Sequence, residues 1–312
     1  MKTLLIGLGL TLALLGQQAS ATSKPRKERT CSETASAAYT ACVYEVLDDF
    51  WIATGKCKNI ADTSDRSQCL SELKGVPRDG REECSDQREA RRDLCEDLGE
   101  APYDPPFEPS LFVNPADIGG SVAPNPYLPI IAGRTLVYQN DDEIVTVKVT
   151  GDIKLISGVP CAVVSDIVTV NGQVIEDTID WFAQDLQGNV WYCGELARDF
   201  EDGELVSLDG SFKAGVDGAK PGILMKAAPM VEDTYRLEFD LGNAEDTAEV
   251  LSLTGSATTP AYSCAGTCLI TEDTTPLSPD ALENKYYAPG VGLILEVKPT
   301  TGERLELIQI ID

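Results

Sequence analysis

The chain has 312 residues, 43% of them hydrophobic, and 51 Asp and Glu against 25 Lys and Arg, for a formal net charge of −26. Such a length supports a sizeable core in one large or two modest domains, and the acidity argues against nucleic acid and against a basic membrane-binding surface. The sequence contains no histidine. This excludes Ser-His-Asp and Cys-His arrangements, histidine general bases and histidine-ligated zinc or copper, and leaves any catalysis to carboxylates, Lys, Tyr or a Ser-Lys pair.

Residues 1–21 read as a secretory signal peptide, with Lys2 as the charged region, an apolar run at 4–15 and an Ala19-Ser20-Ala21 cleavage site. The apolar run is too short to span a bilayer. No later stretch approaches spanning length, so no transmembrane segment is expected. Residues 22–30 form a basic stub with Lys24, Arg26, Lys27 and Arg29. No Asn-x-Ser/Thr sequon occurs in the sequence.

Residues 31–100 are expected to form a cysteine-rich three-helix module. Tyr39, Cys42, Val43, Val46, Leu47 and Phe50 recur at helical spacing. A short second helix follows the cap-like Thr63-Ser64-Asp65, and a third, highly charged helix covers 79–98. Cys31 and Cys42 are eleven residues apart, as are Cys84 and Cys95, about three helical turns, so each pair shares a face. If the first and third helices are antiparallel, Cys31 meets Cys95 and Cys42 meets Cys84, and Cys57 with Cys69 closes the turn between them. Ala35, Ala38 and Ala41 let the helices approach to disulfide range. An oxidising compartment favours disulfides over a metal site here.

Residues 101–133 hold eight prolines, which excludes helix or sheet interior and gives an extended, semi-rigid linker. Within it, the apolar residues 111–113 are placed to dock on one of the domains. Charge changes at this boundary too: residues 22–100 carry net −4 and those after it net −23.

From residue 134 to 312 an antiparallel β domain is expected. Strands are read at 135–138, 144–150, 159–170, 174–184, 204–208, 248–253, 269–272, 285–287, 292–297 and 304–311. Residues 178–196 form a hairpin around the turn 185–189. Tyr235, Leu237, Phe239 and Leu241 alternate with polar residues as a half-buried strand. The four remaining cysteines, Cys161, Cys193, Cys264 and Cys268, are even in number and point to two further bridges. A local Cys264–Cys268 pair with Cys161–Cys193 and the crossed pairings fit the sequence equally. The expected fold class is α+β in two parts. A small disulfide-rich helical module precedes a mainly antiparallel, strongly curved β-meander, half-barrel or barrel-like.

Four ordered motifs, NPYLPIIAGRTLVY, EDTIDWFAQDLQGNVWYCGE, GVDGAKPGILM and LENKYYAPGVGLILEV, lie in residues 125–297. On these motifs, residues 113–311 resemble a family of secreted bacterial β-rich domains of unassigned function. In outline that family is similar to the half-barrel sheets of periplasmic lipoprotein carriers. The resemblance implies a curved β domain and carries over no catalytic residues.

Several residues are candidates for ligand binding. Trp181, Trp191, Tyr192, Tyr286 and Tyr287 read first as core and cross-strand pairs and second as a stacking surface or pocket wall. Residues 214–230 lack periodicity and read as a long crossover closing the edge or mouth of the sheet. The other reading is a loop lining an apolar cavity, with Met225 as an adaptable contact. Lys220 either meets an anionic head group or pairs with a local carboxylate. Asp180, Glu195, Asp199, Glu201 and Asp202 gather on or after the hairpin, where a carboxylate pair could hydrolyse a glycoside. Residues 140–143 and 199–204 offer oxygen ligands for Ca²⁺ but lack EF-hand spacing and read as solvated turns. No cofactor and no metal site are expected. The leading expectation is a secreted, non-catalytic binding protein whose β domain takes an apolar or amphipathic small molecule or a protein partner. The alternatives are a carbohydrate-binding or carboxylate-dependent glycan-active protein, and a structural extracellular or surface protein.

Overall fold

The computed structural model of the protein describes residues 28–312. The expected signal peptide and residues 22–27 of the basic stub lie outside the described residues. The first part is a helical hairpin with a short connecting helix: α1 (Thr30–Lys58), α2 (Thr63–Glu72) and α3 (Val76–Leu98). Disulfides join Cys31 to Cys95, Cys42 to Cys84 and Cys57 to Cys69, with Cα separations of 5.7, 5.8 and 5.5 Å. The N-cap of α2 is Asp62, whose carboxylate accepts from the backbone N–H of Ser64 and Asp65. α1 and α3 approach through small residues. Ala35 and Ala38 are buried, and a Cβ on Gly80 would lie 2.8 Å from a Val46 methyl carbon. The Arg88 guanidinium stacks 4.1 Å above the Tyr39 ring. α3 has few apolar residues, so the bridges, each worth about 2–4 kcal/mol, supply much of its attachment.

The second part is built from β1 (Thr135–Gln139), β2 (Glu143–Ile156), β3 (Val159–Val170), β4 (Gln173–Gln184), β5 (Val190–Leu196), β6 (Asp199–Glu201), β7 (Glu204–Ser207) and β8 (Phe212–Lys213). It continues through β9 (Lys220–Met225), β10 (Thr234–Arg236), β11 (Glu238–Phe239), β12 (Thr247–Thr258), β13 (Ser263–Thr274), β14 (Leu282–Ala288), β15 (Gly292–Val297) and β16 (Arg304–Ile311). β1 to β5 form one antiparallel meander and β12 to β16 a second, and β16 pairs with β1 to join them. β9 extends the first meander beside β5, and β10 extends the second beside β12. Only Leu237 separates β10 from β11, and β11 pairs with β9. The sheet therefore returns on itself and forms a nearly closed barrel with its seam at residues 234–239. Cys161–Cys193 and Cys264–Cys268 are the bridges of this part.

The seam corrects two expectations. Residues 214–230 are not a loop throughout, because they contain β9, a stave of the barrel. Its Lys-Pro-Gly opening hides the strand, since Gly222 serves close approach: a Cβ there would lie 2.2 Å from the Leu237 carbonyl carbon and oxygen. Nor is 235–241 a regular half-buried strand. Glu238 is buried and Leu241 exposed, the reverse of the alternation. The chain exchanges its partner β12 for β9 at Leu237, and the exchange resets which side chains face inward.

The proline-rich segment 101–133 is extended and held against the barrel. Phe107 and Phe112 pack edge-to-face, Phe112 packs on Trp191, and Val113 N–H donates to the Gln184 carbonyl. Further on, Ile118 and Ile130 join an interior cluster with Ala162, Val190, Met225, Val250, Leu269 and Tyr287. These cluster members come from strands on opposite sides of the ring, so they mark the inside. The segment thus fills one end of the barrel with an apolar plug. Asn125, fully buried, pins the plug. Its side chain donates to the carbonyls of Gly188 and Met225 and accepts from the N–H of Tyr127 and Leu128, while its own N–H donates to Gln184.

Candidate functional site in the barrel lumen

Strand register determines which side chains share the inner face. Ala162 and Val164 point inward with the plug, and two residues on along β3 the same face carries Asp166. Asp166 is opposite Thr178, Val164 opposite Asp180, and Asp180 opposite Glu195. On the far side of the ring, Leu269 is opposite Tyr287, Thr271 opposite Lys285, and Lys285 opposite Glu296. Moving away from the plug, the lumen changes from apolar to ionisable. Glu238 adds a carboxyl from the seam and Asp246 one from the residue before β12, and Tyr138, Tyr192 and Tyr235 add hydroxyls.

Lys285 is the amine among these carboxylates. It lies 3.0 Å from Asp273, 3.6 Å from Glu283 and 3.9 Å from Glu296. Burial works against its charge, but Asp273 and Glu296 outweigh burial and raise its pKa well above the ordinary value. On the carboxyls burial acts in the opposite sense and raises their pKa values. Burial pushes Asp180 up to about 7, partly opposed by the hydrogen bond that the Tyr192 hydroxyl donates to it at 2.5 Å. Burial and then the charge of Asp180 raise Glu195 to about 8. Burial raises Glu296 to about 7, with Lys285 pulling it down. Asp166 stands well above the carboxylate range through burial and the charges of Asp180, Glu176, Glu195 and Glu296. Glu238 is likewise raised by burial and by Asp246 and Glu195. These mutual influences join β3, β4, β5, the seam, β14 and β15 into one electrostatic unit.

Two polar atoms in this unit are buried without a hydrogen-bond partner, Asp166 Oδ1 and Tyr235 Oη. Other groups remain reachable by water: the Lys285 side chain is 23% exposed and that of Glu296 18%. The lumen therefore holds a largely buried cluster of ionisable groups beside the apolar cluster that packs against the plug. Among the described residues no group of three or more Asp, Glu or Cys is arranged to hold a metal ion.

The structure divides the sequence-predicted candidates between the two faces of the sheet. Tyr192, Met225 and Tyr287 are on the inner side, with Met225 fully buried in the cluster against the plug. Trp181 is buried on the outer face among Phe112, Cys161 and Cys193, with the Lys154 ammonium 5.3 Å from its ring. Trp191 shares that face and donates its indole N–H to Asp185 Oδ2 at 2.8 Å. It is opposite Ala183 and not Trp181. Tyr286 packs against the cluster that contains Cys264, Cys268 and Leu295. Lys220 pairs with Asp104 at 2.6 Å on the exterior. Asp199 and Glu201 lie on β6, off the ring, and Asp202 is in the turn after it.

Asp166, Glu238, Asp246, Lys285 and Glu296 were not among the candidates. Asp166, Glu238 and Glu296 carry only the signal of alternation, a charge between apolar or small neighbours that reads equally as the wet face of an open sheet, and Asp246 beside Glu245 and Lys285 beside Asn284 lack even that. Among the described residues no helix is long and apolar enough to cross a membrane, and five disulfides fit an oxidising compartment. Comparison of the chain with protein-family models, with curated proteins and with solved structures finds no match.

Proposed function

We propose that the protein is a secreted, non-catalytic binding protein whose barrel lumen takes an amphipathic small molecule. The apolar end of that molecule lies toward the plug and a cationic group toward the carboxyls. The observation that carries this reading is the two-ended lumen, apolar beside Met225 and Tyr287 and carboxyl-rich around the Lys285 amine, with Asp166 Oδ1 buried and unpartnered. An ammonium group entering there supplies the donor that Asp166 lacks and displaces protons held by Asp180, Glu195 and Glu296. Binding then strengthens as pH rises through the range near 7 and 8 in which these groups ionise. The four motifs support the reading as well. They supply Asn125 of the plug, the Asp180–Glu195 pair, Gly222 of the seam, and Lys285 with Glu296.

Native mass spectrometry with octylamine, octanol and octanoate tests the proposal. A one-to-one adduct with octylamine, at least about tenfold tighter than with octanol or octanoate (a discrimination of roughly 1.4 kcal/mol), is expected. No adduct, or equal affinity for the three, would overturn it. A glycan-directed reading keeps one observation in its favour: Asp180 and Glu195 face each other in register beside Tyr192. A glycan array probed with the parent and with Asp180→Asn separates the two, since a glycan signal lost in the variant supports the second reading.

A further inference from the structure

A second site lies outside the lumen, where the helical module meets the seam. A cleft of about 180 Å³ opens there between α1, α3 and residues 236–245. Arg91 of α3 and Arg236 of the seam both line it. Arg91 is only 6% exposed and makes a bidentate pair with Glu245, through Nε at 2.9 Å and Nη2 at 2.7 Å. Glu245 is fully buried and also accepts from the N–H of Gly242. That leaves Arg91 Nη1 buried with no hydrogen-bond partner, and Arg236 Nη1 is in the same condition.

Arg236 makes no ion pair among the described residues. Its guanidinium instead lies 4.5 Å from the centre of the Phe239 ring and 5.5 Å from that of Tyr103. Burial lowers its pKa, Glu245 and Tyr103 raise it, and the nearby charge of Arg91 lowers it again. Two guanidinium groups thus lie near one another in a desolvated space with a single carboxylate, which Arg91 alone pairs. A buried charge without a partner is costly, and a planar fork of N–H donors matches a carboxylate. The remaining walls are mostly apolar, from Ala35, Ala101, Pro102 and Leu241, with the Tyr103 and Phe239 rings beside them.

We propose that this cleft binds a small carboxylic acid with an apolar body, its carboxylate on the free Nη1 groups of Arg91 and Arg236 and its body against Tyr103 and Phe239. The volume falls below the roughly 300–1,000 Å³ of sites for drug-sized ligands, so the acid is of fragment size, about one ring. Because the walls come from both parts of the chain, occupancy also clamps the helical module to the barrel. The protein's overall negative charge opposes anions at long range, so selectivity rests on the two local cations.

Isothermal titration calorimetry with benzoate and the neutral isostere benzamide tests this on the unaltered protein. Benzoate should bind and benzamide should bind at least tenfold more weakly. Two variants locate the site independently: Arg236→Gln removes one cation, and Ala101→Trp on the exposed rim fills the cleft. Either should weaken benzoate at least tenfold. Absence of benzoate binding, equal affinity for benzamide, or undiminished affinity in both variants would each overturn the proposal.

Discussion

Replacing Asp180 by Asn leaves the shape of the side chain and the oxygen that accepts from Tyr192, and removes only the ionisation. In the folded protein this carboxyl titrates at about 7 against an ordinary 3.8, chiefly because it is buried. A raised carboxyl holds its proton in the folded state while the unfolded chain releases it. Its contribution to stability is therefore complete below the unfolded pKa and is lost as pH rises through the folded value. Between about pH 4 and 7 the unfolding free energy should fall by about 1.4 kcal/mol per pH unit for this group alone. By about pH 8 the accumulated loss is about 4 kcal/mol. Asp180→Asn abolishes that loss. It also lowers the pKa of Glu195, whose second-largest perturbation is the Asp180 charge, so the variant gains further. Urea unfolding followed by tryptophan fluorescence, which Trp181 and Trp191 report from the barrel, measures the effect. The variant should match the parent at about pH 3 and exceed it by at least about 2 kcal/mol at about pH 8. A variant less stable than its parent at the higher pH, or one with the parent's pH slope, would refute the reasoning.

Three further outcomes follow from the geometry. Gly222→Ala places a Cβ 2.2 Å from the Leu237 carbonyl, where backbone must move; a loss of about 3 kcal/mol in urea unfolding is expected, at the upper end of overpacking costs, and unchanged stability would contradict the seam. Asn125→Ala strips partners from the N–H of Tyr127 and Leu128; a cost of about 2–4 kcal/mol is expected, with faster hydrogen exchange at both amides, and protected amides would show that Asn125 does not pin the plug. Glu245→Gln leaves the Arg91 guanidinium buried without its counter-charge; about 3–5 kcal/mol should be lost and the chain near residue 100 should become more susceptible to protease, whereas parental resistance would mean that the pair does not hold the two parts together.

The helical module was legible because its information is local. Cysteines eleven residues apart share a helix face, and Ala35, Ala38 and Gly80 let two helices come close. The strands were legible from alternation, including the hairpin at 178–196. Alternation identifies two faces of a strand but not which one is inside. Around Asp180, the apolar neighbours Ile179 and Trp181 look like core. On the outer face Trp181 is buried and Ile179 partly buried among Phe107, Leu111 and Phe112, while Asp180 points into the lumen. The covering segment is rich in proline and has no periodicity of its own, so nothing local marks it as a lid on one face and a plug in one end. The seam was hidden for a related reason. Gly222 is fixed by a contact with Leu237, and residues 234–239 divide their pairing between two strands far apart in sequence.

The pairing of β16 with β1 places Thr135 beside Ile311, the two extremes of the barrel. As the chain is made, β1 to β5 can assemble from contacts between neighbouring strands, and the second meander can do the same later. Until residues 304–311 emerge, β1 presents an open edge of unpaired backbone groups along Thr-Leu-Val-Tyr-Gln. The slot beside it accepts any chain with the right register, including the same strand from another copy. Arrival of β16 is thus the event that covers this edge and joins the two meanders into one nearly closed sheet.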